Sequence, residues 1–105
     1  MASDKSYLEF VLEQLGGLDG VTWRAMMGEY ILYYKDKVVG GIYDNRLLVK
    51  PTPSARRLLP NAPTELPYEG AKEMLLVDEI DDRALLCKLL REMEPELPAK
   101  KEKKK

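Results

Sequence analysis

The chain has 105 residues, with 17 basic and 18 acidic side chains, one cysteine and no histidine, a size that fits a single small domain built on one core. Without histidine there is no Ser/His/Asp or Cys/His triad, and the commonest neutral-pH base and metal ligand is missing. The one thiol, Cys87, forms neither an internal disulfide nor a cysteine-rich zinc site, so no catalytic residue, metal ligand or cofactor is predicted.

The near-neutral balance hides a division. Lys100, Lys101, Lys103, Lys104 and Lys105 crowd the C-terminus with one acid, Glu102, which leaves 12 basic against 17 acidic residues for the rest. An acidic body is poor material for gripping phosphates, whereas the lysine run reads as a disordered, solvated tail over residues 98–105, after a domain over 1–97. The polar start "MASDKSYLEF" lacks a signal-peptide hydrophobic region and no apolar run approaches a membrane span. A soluble, cytoplasmic protein with no membrane partner is expected.

In chain order, Leu8, Val11, Leu12 and Leu15 recur at helical spacing and predict a first helix over Ser6–Leu15. Ser3 or Ser6 is its expected cap, the latter forming a capping box with Glu9, and Gly16 and Gly17 supply the stop. "VTWRAM", residues 21–26, predicts a first strand. Tyr30–Tyr34 and Val38–Tyr43 are β-rich runs separated by "KDK", and "YDNR" sets Asp44 and Asn45 where a two-residue hairpin needs positive φ before a strand at Leu47–Lys50. Four consecutive antiparallel strands follow. In "YILYY" both alternating faces are apolar or aromatic, so one side of the sheet is expected under helices and the other against a partner.

Five of the seven prolines fall between Pro51 and Pro67 and forbid a long element there. A short helix fits "TPSARRLLP", with Thr52 as cap, Pro53 at the first helical position, and Leu58 and Leu59 inward. "LPYEGAKEMLLVD" then predicts a hairpin turning near Gly70, with Met74–Val77 buried. The last helix is predicted over Asp82–Met93, capped by Asp81, with Leu85, Leu86, Leu89, Leu90 and Met93 on one face and Cys87 to the side, partly exposed and passive. The acids Asp78, Glu79, Asp81 and Asp82 lack the spacing of a calcium loop and suit a helix N-terminus. Gly28, Gly40 and Gly41 follow no phosphate-loop pattern and read as strand glycines at a bulge or close backbone contact.

Two candidate sites emerge. Arg24, Met26, Met27, Gly28, Glu29, Tyr30, Tyr33 and Tyr43 form a candidate interaction surface, on methionine's adaptability and tyrosine's dual apolar and polar character. Lys50, Arg56 and Arg57 flank the start of the short helix, whose free N–H groups favour anions.

The segment "RAMMGEYILYYKDKVVGGIYDNRLLVK" resembles the N-terminal domain of the TfoX/Sxy family, whose pattern runs R-x-M-F-G-G, aromatic strand, turn, second strand, D-x-L-[YL]-[LV]-K. Arg24, Met26, Gly28, Tyr33, Asp44, Leu47 and Lys50 hold matching positions, while Glu29 and Ile31 stand where the pattern has glycines. The resemblance implies an α+β fold of the secretion-chaperone-like kind, a two-layer arrangement in which a curved antiparallel sheet of five to six strands is backed by N- and C-terminal helices and a short middle helix, often as a dimer. Longer members are regulators of natural competence that act on transcription and carry a second domain. The leading expectation is accordingly a non-enzymatic regulatory module working as a homodimer through protein partners. Direct nucleic-acid binding aided by the tail is the alternative, and a small ligand-binding protein or carboxylate-dependent enzyme the third reading.

Overall fold

Alternating β-formers around short polar turns fold the middle of the chain into a meander. The computed structural model, which describes residues 4–26, 28–67 and 69–97, has its strands as β1 (Val21–Met26), β2 (Glu29–Tyr34), β3 (Lys37–Ile42) and β4 (Leu47–Val49). Both of the later turns use left-handed residues, Lys35 and Asp36 at φ of 53° and 67°, Asp44 and Asn45 at 54° and 57°. That backbone matches the right-handed twist of the flanking strands. A second hairpin joins β5 (Thr64–Glu65) to β6 (Met74–Val77), and β6 pairs with β4, so the six-stranded antiparallel sheet has the order β1-β2-β3-β4-β6-β5. Its first strand begins earlier than the sequence suggests, and Gly70, at φ 89°, lies within the long connection between the two.

Three helices cover one face: α1 (Lys5–Gln14), α2 (Pro53–Leu58) and α3 (Arg83–Met93), the last running into a 3-10 turn at Glu94–Glu96. Leu8 and Val11 of α1, Ala55 of α2 and Leu86, Leu89, Leu90 and Met93 of α3 join Leu32, Val39, Ile42, Leu47, Val49, Leu75 and Val77 of the sheet in one core. The resulting two-layer α+β domain is the expected class. At α2 the cap is as predicted, Thr52 Oγ1 accepting from Ala55 N at 3.1 Å.

The other helix starts differ. The first helix begins at Lys5 with Asp4 at its N-cap, not Ser6, and the Asp4 side chain makes no capping hydrogen bond; Asp4 is instead fixed by its own N–H, which donates to Asn45 Oδ1 at 2.8 Å. In α3 the cap is Asp82, not Asp81, and its carboxylate accepts from Leu85 N at 3.1 Å. Cys87 is buried rather than partly exposed, because α1 lies alongside α3 and covers that flank, with the thiol 3.6 Å from the Gln14 carbonyl. Ser3 and the lysine tail lie outside the described residues.

Gly40 and Gly41 sit in β3, as read, but Gly28, at φ 88°, is in the turn between β1 and β2. A bulge interrupts β3 where Leu32 pairs with Gly40 and Tyr33 with Val38, leaving Val39 as the extra residue. The bulge keeps Val39 in the helix-side core while Val38 points to the opposite face.

Candidate functional site

The face of the sheet that carries no helix among the described residues is also apolar. Tyr43, Leu48 and Met74 form a second buried cluster with Leu76 against it. Along this face Ile31, Gly41, Leu48 and Leu76 lie side by side across β2, β3, β4 and β6. Glycine at position 41 is required here, since a Cβ would come within 2.7 Å of the Tyr43 ring and 2.6 Å of the Tyr30 carbonyl. The tyrosine ring occupies the space a side chain would fill. Beside this cluster is a hollow of about 490 Å³, lined by Met26, Ile31, Val38, Tyr43 and Met74 from the sheet, by Lys50 and Pro51, and by Pro67, Ala71, Lys72 and Glu73 from the β5–β6 connection.

Of the predicted interaction surface, Arg24 and Met26 lie exposed on the helix-free side of β1. Tyr33 pairs with Thr22, and with Arg24 it lines a smaller hollow of about 180 Å³. Glu29 is on the same side and its Oε1 accepts from Asp44 N at 3.1 Å, while Tyr43 is buried in the second cluster. Tyr30 belongs to the opposite face, where it packs on the core and meets Trp23 edge-on at 5.5 Å. Gly28 turns the chain between the strands, and Met27 lies outside the described residues. Trp23 stays half-exposed beneath the Lys5 ammonium, 5.7 Å from the ring centre.

β1 is also an open edge. It pairs with β2 along all six residues without a bulge, and its other side has no strand among the described residues. The bond from Lys35 N to the Gly20 carbonyl, 2.9 Å, sets the phase of this antiparallel ladder. Thr22, Arg24 and Met26 therefore direct their backbone groups at β2. Those of Val21, Trp23 and Ala25 point outward.

The three residues of the proposed anion patch are not brought together. Lys50 lines the large hollow on the helix-free side, whereas Arg57 belongs to the helical layer, where it pairs with Glu92 at 2.8 Å. Arg56 is exposed on α2. The start of α2 does hold an anion, supplied by the chain itself: Glu96 accepts from Ser54 N at 2.9 Å and from the Ser54 hydroxyl at 2.5 Å. These bonds, the hydroxyl's first, hold the Glu96 carboxyl below the ordinary glutamate value of 4.5. Two residues earlier, a hydrogen bond from Lys37 at 2.8 Å lowers Glu94 in the same way, and Arg46 and Glu65 form a third ion pair.

The Glu96 clasp has a definite pH signature. Its folded-state value is depressed, so its contribution is present above 4.5 and fades as pH falls below that value. Glu96→Gln is expected to lower the melting temperature at neutral pH, with the gap to the wild type narrowing in acid. A gap that stays constant from neutral to strongly acidic solution would show that the carboxylate plays no such part.

Most of the large hollow escaped sequence reasoning. Ile31, Val38, Met74, Pro67, Ala71, Lys72 and Glu73 were not singled out, and the available signal was the two-faced apolar character of β2. No helix among the described residues is long and apolar enough to cross a membrane.

A family model for the TfoX N-terminal domain matches residues 13–92. An uncharacterized 12.7 kDa protein from the trpE 5′ region of Spirochaeta aurantia is 42% identical over 105 residues, covering 99% of this chain and 91% of that protein. No solved structure matches the sequence significantly. With most of its length matched, and the sheet and helices arranged as that resemblance implied, the chain belongs to the TfoX N-terminal domain family.

Proposed function

We propose that this protein is a non-catalytic regulatory interaction module that works as a homodimer, with β1 of one copy pairing antiparallel to β1 of the other. The observation that carries the reading is the open β1 edge. Exposed edges are normally blunted by proline, bulges, several charges or shortness, as the two-residue β5 is at the far end of the sheet. β1 is six residues long with a regular register and Arg24 as its one charge.

Charge and symmetry select the register. A two-fold axis perpendicular to the sheet keeps the helix-side faces together, so directly opposed residues must share a face and the axis passes through a residue position. An axis at Arg24 would set two guanidinium groups opposite each other, which is unfavourable. With the axis at Trp23, the two indoles meet, Thr22 opposes the partner's Arg24, and the outward backbone groups of Val21, Trp23 and Ala25 find partners. The regulatory role itself is supported by family membership: the longer competence regulators that the chain resembles act on transcription, and an action through protein partners is proposed here by that likeness. Direct nucleic-acid binding has weaker support, because Lys50, Arg56 and Arg57 form no joined cationic surface.

Ala25→Pro tests the pairing. Proline removes an amide that points outward, so the internal ladder keeps its bonds, and an edge strand tolerates it there. The variant is expected to keep wild-type circular dichroism yet sediment as a monomer where the wild type sediments as a dimer. A wild type that remains monomeric at the highest attainable concentration overturns the reading. If Tyr33→Ala separates the dimer and Ala25→Pro does not, the contact is the face of the sheet and not its edge.

A further inference from the structure

We propose that the large hollow on the helix-free face binds a small amphipathic anion, an alkyl or ring body ending in a carboxylate. The inference does not rest on pairing of β1, since one chain builds the site. At about 490 Å³ the hollow falls within the range of small-molecule sites, roughly 300–1,000 Å³.

Its floor and walls are apolar, formed by Met26, Ile31, Val38, Pro67 and Met74 beside the Tyr43 ring. Two methionines give such a lining the adaptability to fit an irregular body. Its charged groups are Lys50, Lys72 and Glu73, so the site carries one net positive charge on a body that is otherwise acidic. The described ion pairs are Lys37–Glu94, Arg46–Glu65 and Arg57–Glu92. None engages Lys50 or Lys72. Lys50 is half-buried against this apolar lining, where an ammonium is less well hydrated than in open solvent and gains more from an anionic partner. A carboxylate at the lysines with its apolar body over Ile31, Val38 and Met74 satisfies both halves of the site. A cationic amphiphile would bury the same surface and meet repulsion at the lysines.

The test uses the full chain and three probes with one alkyl chain and different heads: octanoate, octanol and octylammonium. Titration is followed through the methyl resonances of Ile31 and Val38. Octanoate is expected to shift them saturably, and octylammonium to bind at least about tenfold more weakly. The double variant Lys50→Gln, Lys72→Gln, whose side chains leave the core untouched, is expected to weaken octanoate about tenfold and to erase its advantage over octanol. Val38→Trp fills the hollow and is expected to abolish binding of all three. Octanoate that leaves these methyls unmoved, octylammonium that binds equally well, or a lysine double variant that retains full affinity overturns the proposal. So does a protein that co-sediments with phosphatidylglycerol vesicles while ignoring free octanoate, since that is recognition of a lipid surface.

Discussion

Gly40→Ala is expected to destabilise the domain by about 3 kcal/mol or more, and a marginal fold does not survive much beyond that. A Cβ at this position would lie 2.0 Å from the Leu48 carbonyl oxygen and 2.7 Å from the Val49 Cα. Both are backbone atoms, so no side-chain rotation relieves the contact, and β3 must move away from β4. Three residue pairs depend on that approach, Gly40 with Val49, Gly41 with Leu48, and Ile42 with Leu47. The core on the helix side contains Ile42, Leu47 and Val49, each worth about 1.5–3 kcal/mol when fully buried. Thermal unfolding followed by circular dichroism measures the effect, and Gly70→Ala is the control. Gly70 differs from Gly40 in having a positive φ, 89°, with nothing within 4 Å of its would-be Cβ, so its cost is conformational strain alone, on the order of 1–2 kcal/mol. Equal melting temperatures for the two variants would mean that the contact at position 40 costs no more than the strain at position 70, and that β3 and β4 yield to it easily.

Leu48→Ala should cost about 2–5 kcal/mol, as much as Leu32→Ala on the opposite side of the sheet. Both leucines are almost completely buried, at 0% and 1% exposure, but only Leu32 lies under helices. Leu48 is enclosed by Tyr43, Met74 and Leu76, so the face without helices carries a core of its own. Truncation there leaves a cavity among side chains held by β6 and by the end of β3, which cannot easily collapse. Chemical denaturation of the two variants makes the comparison directly. A Leu48→Ala loss below about 1 kcal/mol would match a solvent-exposed leucine and would remove the second core from the account.

How the sequence discloses this fold depends on how local each determinant is. The turn at Asp44 and Asn45 and the Thr52–Pro53 start of α2 are written in adjacent residues, and both are found where the residues place them. Helix starts are less legible because several residues able to cap stand close together. Choosing Asp4 over Ser6 involves a hydrogen bond to Asn45, 41 positions away. Cys87 lies off the α3 stripe, and its burial depends on where α1 packs. Sequence pattern also shows that a short helix start prefers an anion, but not that Glu96, 42 positions beyond Ser54, provides it. The two-sided apolar character of β2 marked the helix-free face as a surface of interest. The hollow on it needs Pro67, Ala71, Lys72 and Glu73 brought over the sheet, which alternation cannot give.

The extra residue in β3 affects which changes of chain length the fold can accept. In a regular strand, removing one residue turns every side chain beyond it to the opposite face. At Val39 the ladder has already absorbed a surplus residue, so its deletion would restore even pairing with Val38 still toward the hollow and Lys37 still toward Glu94. What disappears is one buried valine. Relatives one residue shorter at this point can therefore share the same two faces, and an alignment gap there marks a straightened strand.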